Sequence, residues 1–306
     1  MAIIADILTQ VDAAATAVGA TAFDAVAAEI VPVFRVGSVL VVALIGINLM
    51  AQAVPMTLRN GLGLMVRIAV ASAFLSSWTN FNAVYGVLTN APSEIGAVVL
   101  EAFGGGSGNL YEGLDSLYLQ ALDVGQAISQ NGSYITGALA GLLMFLVAAL
   151  MATVSIIVIS AAKIMIGVLV IFAPIAIACT LFKVTAPLFD RWVNLALGFA
   201  FYPMLTSGMA AFTIAIARDL TPASLTNVET IGDVLSFVVV MMLGTGLMAM
   251  VPTIAQSLAQ TATGLGGVAS STFRTADSAK GYGRSGIAAG IGAGRRQQRR
   301  QRLAQP

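Results

Sequence analysis

Long apolar runs separated by short polar stretches dominate the chain. In residues 1–34 the apolar side chains recur at helical spacing (Ile4, Ile7, Leu8, Val11, Ala15, Val18, then Phe23, Val26, Ile30, Phe34), which predicts amphipathic helices with a break at Gly19. The polar positions of this segment are acidic, whereas helices that lie on anionic lipid carry Lys and Arg, so the segment is expected to pack on protein. A separate partner and the chain's own membrane domain both fit that role.

Val36 to about Val54 is apolar apart from Ser38, Asn48 and Gln52 and lies between Arg35 and Pro55. About 20 apolar residues cross a bilayer, so this run predicts the first span. A second run begins near Leu62 and fades around Trp78 to Phe81, with Arg67 placed to snorkel to the interface and Trp78 and Tyr85 at the opposite boundary. Residues 83–133 are weakly hydrophobic, hold Glu94, Glu101, Glu112, Asp115 and Asp123, and predict a hydrophilic region between spans. The glycines at 104–106 and 108 read as a flexible linker there. They lack the Gly-Lys-Ser/Thr that a phosphate loop requires.

From Tyr134 to Phe182 the single charge is Lys163. At about 1.5 Å per residue this run is too long for one upright crossing, which predicts two helical segments meeting near Ser160 to Lys163. A polar hinge, Lys183 to Trp192, precedes an apolar run from Val193 to Ala217 closed by Arg218. An acidic loop, Asp219 to Asp233, leads to the last span, Val234 to about Val251, which ends at Pro252 and leads into a Gln/Thr/Ala helix-like segment.

Charge then sets direction. Asp6, Asp12, Asp24 and Glu29 precede the first base, and five acids with no Lys or Arg lie between Arg67 and Lys163. From Arg274 to Arg302 eight bases face the single acid Asp277. Cytoplasmic flanks carry the excess of Lys and Arg, which puts Arg59, Arg67, Lys183, Arg191 and the tail inside, and the N-terminus, the central region and the 219–233 loop outside. An inside Lys183 after an outside central region requires an odd number of passes. The expectation is an all-α polytopic protein of about five crossings, with part of 134–182 forming a re-entrant or interfacial hydrophobic helix. The resulting layout is outer amphipathic helices at 1–34, two spans in 35–82, an outer central region at 83–133, a span cluster at 134–260 and a largely disordered basic tail at 261–306.

Composition agrees: 58% of residues are hydrophobic, 9% are charged and the mean hydropathy is +0.90, too little polar surface for a water-soluble globule of 306 residues. The chain has no His, and Cys179 is the single cysteine. Disulfides within one chain, Cys/His zinc sites and imidazole catalysis are thereby excluded, and no catalytic residue, cofactor or metal is expected. The N-terminus lacks a basic region ahead of its apolar residues, so no cleavable signal is read there.

The most informative segment is Ile171-Phe172-Ala173-Pro174-Ile175, then Leu181-Phe182-Lys183-Val184-Thr185-Ala186-Pro187-Leu188-Phe189-Asp190-Arg191-Trp192. An apolar helix with Phe-Ala-Pro, a Leu-Phe-Lys, a short loop closing on Phe-x-x-Trp and a further apolar helix resembles the TrbL-like polytopic inner-membrane subunits of type IV secretion systems. The motif covers about residues 163–203, and the general layout about 1–260. The resemblance implies a bacterial inner-membrane, multi-pass location with a periplasmic N-terminus and a cytoplasmic C-terminus. It further implies a structural channel or assembly role in export of DNA or protein. The implied partners are further copies of the chain, a minor and a major pilin, scaffold subunits, ATPases that supply the energy, the lipid bilayer and the translocated DNA or protein. A secondary transporter or permease of a small solute is the alternative. It should show related halves and convergent ionisable groups at mid-membrane.

Five residues are candidates for a functional role. Pro174 removes a backbone donor from its helix, which fits a gate and an ordinary membrane-helix proline alike. Phe189, Arg191 and Trp192 fit partner docking at the cytoplasmic face and an interfacial anchor alike. Lys163 reads either as an intramembrane charge or as a snorkelling lysine at the turn between two helical segments. The arginines at 295, 296, 299, 300 and 302 would attract phosphate, whether of nucleic acid or of anionic lipid.

Overall fold

The computed structural model describes residues 3–51, 58–103, 109–131, 136–182, 184–220 and 235–259. Seven α-helices make up these residues: α1 (Ile3–Ala51), α2 (Leu58–Leu75), α3 (Trp78–Ala102), α4 (Leu110–Asn131), α5 (Thr136–Ala178), α6 (Ala186–Leu220) and α7 (Leu235–Ala259). A 3₁₀ turn, Cys179–Leu181, follows α5, and no strand occurs among the described residues.

Side-chain size and charge fix how these helices align. Asp12 meets Lys163, and Gly167 and Gly19 let Ala15 and Val170 approach, so α1 and α5 run parallel. Gly125 lies against Met144 and Gly141 against Ser129, which makes α4 and α5 an antiparallel hairpin. Asp24 reaches the start of α3 while Thr16 meets Tyr85, so α3 runs against α1. Gly198 beside Ala259 and Gly244 beside Thr213 set α7 antiparallel to α6. The two main apolar clusters centre on Leu8, Leu114, Met144, Met151 and Met241, and on Phe23, Leu75, Phe81, Ile166 and Val251.

Acids close two helix N-termini and an asparagine a third, where unpaired N–H groups and the helix dipole favour negative charge or a polar acceptor. Asp115 on α4 accepts from the Ile4 and Ala5 amides at 3.0 and 2.9 Å, and Asp24 on α1 accepts from the Trp78 amide at 3.1 Å. Within α4 itself Asn109 caps the Glu112 amide at 2.9 Å, as N-cap residues do. Inside the helices Ser155 and Thr213 donate back to the carbonyls four residues earlier, so their buried hydroxyls are satisfied.

Among the described residues five helices are long and apolar enough to cross a membrane: those within 3–48, 78–102, 137–181, 186–217 and 235–259. The chain is thus an all-α protein of polytopic membrane type. Beyond Gly37, which packs against Leu181 at the end of α5, α1 exposes Val39, Leu40, Val42, Leu44, Ile47 and Met50. A segment apolar on all sides suits immersion in lipid.

Several local expectations are corrected. Gly19 does not break α1, which runs through it; the missing side chain instead admits Val170. The run from 134 to 182 does not divide at Ser160 to Lys163, since α5 is one helix of 43 residues. Lys163 is neutralised by Asp12 within the bundle, so the helix has no need to turn towards water there. No separate re-entrant helix therefore arises from that run. The second candidate span also differs: α2 has only a short apolar stretch, Gly63–Leu75, whereas α3 is long and apolar enough to cross. Weak hydropathy together with Glu94 and Glu101 assigns residues from 83 onward to the hydrophilic region when the sequence is read alone. Finally α7 continues through Pro252 to Ala259. The glycine run at 104–108, the 221–234 loop and the basic tail lie outside the described residues.

Candidate functional site

Two constellations gather the residues that carry chemistry. The first forms where α1, α3, α4 and α5 meet. Lys163 is 4% exposed, and its Nζ lies 3.0 Å from Asp12 Oδ1. The other carboxylate oxygen of Asp12 accepts from the Tyr111 hydroxyl. One carboxylate thus serves a buried ammonium from α5 and a phenol from α4, so the polar groups inside the apolar bundle have partners. Burial first, and then the bond to Asp12 and its charge, raise the Tyr111 phenol above its usual value of 10.0, holding it protonated. A turn further along α1, Thr16 and Tyr85 hydroxyls are 3.2 Å apart.

This ion pair borders a cavity of about 480 Å³ whose lining includes Asp12, Asn90, Glu94, Glu101, Tyr111 and Lys163. Glu94 and Glu101 sit seven residues apart on α3, two turns along one face, and both are exposed. The lining holds three carboxylates and one ammonium, so the cavity is acidic overall.

Sequence reasoning singled out Lys163 but not its partners. Asp12 and Tyr111 stand 151 and 52 positions from it in the chain, and only the packing of α1 and α4 on α5 joins them. For Asp115 a faint signal exists. It sits beside Leu114 on the α4 face that carries Leu110, Leu117, Ala121 and Val124, and an acid on a buried face needs donors.

The second constellation is the α5–α6 hairpin. Pro174 is buried one turn before the end of α5. Pro187 occupies the second position of α6, where its missing donor costs nothing. Trp192, on the next turn, points inward: its Nε1 donates to the Leu169 carbonyl at 2.9 Å. That carbonyl adjoins Val170, whose own helical donor is removed by Pro174. Phe189 stacks on Trp192 with ring centres 5.9 Å apart, and Phe81 of α3 lies 6.4 Å from the same indole. Phe23, Trp78 and Tyr85 extend the ring cluster. Arg191 is exposed beside exposed Asp190, facing away from the aromatic packing.

The structure therefore brings Phe189 and Trp192 together, bonds the indole to Leu169 on the stretch of α5 before Pro174, and leaves Arg191 outside them. Lys163 belongs to the other constellation. A cavity of about 250 Å³, lined by Phe81, Tyr85, Ile166, Leu169, Phe189 and Trp192 among others, opens beside the hairpin.

Comparison with known proteins bears on both constellations, since Lys163 and the whole hairpin fall within the matching stretch. A search of curated proteins finds no match. A family model described as TrbL/VirB6 plasmid conjugal transfer protein matches residues 38–251, more than two thirds of the 306-residue chain. Together with five long apolar helices and the Pro174 to Trp192 hairpin, the match places this chain in the TrbL/VirB6 family of plasmid conjugal transfer proteins.

Proposed function

We propose that this chain is a structural channel or assembly subunit of a type IV secretion system in a bacterial inner membrane, supporting pilus or stalk assembly and passage of DNA or protein. The observation that carries the reading is the family match across residues 38–251, which spans most of the apolar helices. The machine's energy comes from partner ATPases, and the chain contributes packing surfaces and a path through the bilayer. Its partners are further copies of itself, pilins and scaffold subunits.

The orientation we propose has the N-terminus in the periplasm and the tail in the cytoplasm. Five crossings by α1, α3, α5, α6 and α7 support it, because they leave α4 outside and Arg59, Arg67, Lys183 and Arg191 inside, in line with the distribution of positive charge. In this arrangement α2 lies on the cytoplasmic side, the central region from 83 contributes its α4 part to the periplasm, and the basic tail meets anionic lipid or nucleic acid.

Deletion of the gene in a conjugating donor, complemented by this chain, tests the role: transfer and pilus production should fall together and return together. Transfer at the parental level in the deletion strain would overturn it. Periplasmic reporters fused at residues 110 and 225 should be active and one at the tail inactive.

One observation favours the second reading, a solute transporter. The Lys163–Asp12 pair and the cavity beside it are ionisable groups converging inside the bundle. Uptake of a solute by the purified, reconstituted chain alone would favour that reading over the first.

A further inference from the structure

Three features of the α5–α6 hairpin meet at one place. Pro174 leaves the Val170 carbonyl without its helical donor, so α5 resists bending least at this turn. Across the proline, the Trp192 indole N–H is bonded to the neighbouring Leu169 carbonyl at 2.9 Å, tying the start of α6 to the part of α5 that precedes the weak point. Where α2 and α3 face these two helices lies the apolar cavity of about 250 Å³, which leaves part of the indole's surroundings without packed atoms.

The hydrogen bonds of the connector beyond Pro174 run mainly within it, while Leu181 packs against Gly37 of α1. Thr185 Oγ1 donates to the Cys179 carbonyl at 2.7 Å, and the Thr185 and Ala186 amides donate to the Phe182 carbonyl at 3.1 and 2.9 Å. The Arg67 guanidinium reaches the Thr180 carbonyl from α2 at 3.4 Å, a long and exposed contact. Such a knuckle moves as a unit when its hinge bends.

We propose that α5 hinges at Pro174, that the Trp192 indole is the catch holding the hinge in the conformation described, and that the cavity is the space into which the hairpin closes on release. The moving unit is the connector together with the first turns of α6, and it carries the exposed Asp190 and Arg191. Release therefore changes where these charges stand relative to the rest of the bundle. Trp192 is a positioning residue in this scheme. The proposal rests on the hairpin's geometry and stands whether the chain serves secretion or solute transport.

The test uses spin labels at Thr153 and Val184, both exposed, in a full-length Cys179→Ser background, with distances read by pulsed electron resonance. One dominant distance is expected in the parent. Trp192→Phe keeps a ring but removes the N–H, and should add a second resolved distance. Ala196→Leu fills the cavity, where Ala196 is 3% exposed, and added to Trp192→Phe it should remove the second distance. Pro174→Ala, restoring the missing donor, should remove it also. An unchanged distribution in Trp192→Phe overturns the catch, and a second distance that survives the filled cavity overturns the closing motion. Hydrogen exchange on the unlabelled chain covers a labelled variant that fails to fold. Trp192→Phe should speed exchange about tenfold at residues 170–178 while leaving α4 unchanged, and equal rates at 170–178 overturn the proposal.

Discussion

Lys163 Nζ lies 3.0 Å from Asp12 Oδ1, yet the two residues differ sharply in access to solvent, at 4% and 34% exposed. The asymmetry decides which half of the pair is costlier to lose. Asp12→Asn strands a buried ammonium and should destabilise the bundle by about 3 kcal/mol, towards the range for broken buried pairs. Lys163→Met leaves a carboxylate that keeps Tyr111 and some solvent, and should cost about 1 kcal/mol. The double variant should be more stable than Asp12→Asn alone. Denaturant titration in detergent, followed through Trp78 and Trp192 fluorescence, measures all three. Equal losses for the two single variants would refute the asymmetry.

Asp115 holds two amides of the first turn of α1, those of Ile4 and Ala5, from another helix, and it is 4% exposed. Asp115→Ala removes both acceptors and the charge that opposes the helix dipole, a loss of about 1–3 kcal/mol. Asp115→Asn keeps one acceptor and should lose less. Limited proteolysis within the first turns of α1 should quicken in the order parent, Asn, Ala.

Tyr111 carries the pH dependence. Its folded phenol is raised above the usual 10.0 by burial and by the Asp12 carboxylate, so folding favours the protonated form. The stabilisation is complete below the unfolded value near 10 and is lost as pH rises from there towards the folded value. Tyr111→Phe removes the titrating group and should flatten the fall in stability above about pH 10. Stability measured between pH 8 and about 12 checks this, with a parallel decline in parent and variant as the contrary outcome.

Close approach of α4 and α5 depends on Gly141. A Cβ there would stand 2.9 Å from the Ser129 Cβ and 3.0 Å from the Gly125 carbonyl oxygen, and backbone cannot step aside as a flexible side chain can. Gly141→Ala should therefore destabilise by about 1–3 kcal/mol, whereas Gly246→Ala, with nothing within 4 Å, should be neutral.

How much of this was legible in the sequence depends on the range of the interaction concerned. Helicity and the apolar runs follow from local pattern, so the all-α polytopic architecture could be read directly. The path of 134–182 could not, because a helix is stopped at Lys163 only if that charge must reach water. Asp12, supplied from another helix, removes the requirement. The same limit hid α3 as a candidate span: its asparagines and glutamates lower its hydropathy, while Phe81, Tyr85 and Leu100 still bury one face. Pro174 and Trp192 could each be singled out from the motif that holds them. The inward turn of the indole was not, since a tryptophan at a helix start suits a membrane interface equally well.

One consequence of the unbroken α5 is mechanical. A helix of 43 residues is about 65 Å long, roughly twice the thickness of the hydrocarbon core it would cross. A rod of that length is a lever: a tilt of about 5° carries one end about 6 Å relative to the other. With α4 seated on its first half and the proline hairpin at its far end, α5 is one continuous helix joining the two ends of the bundle.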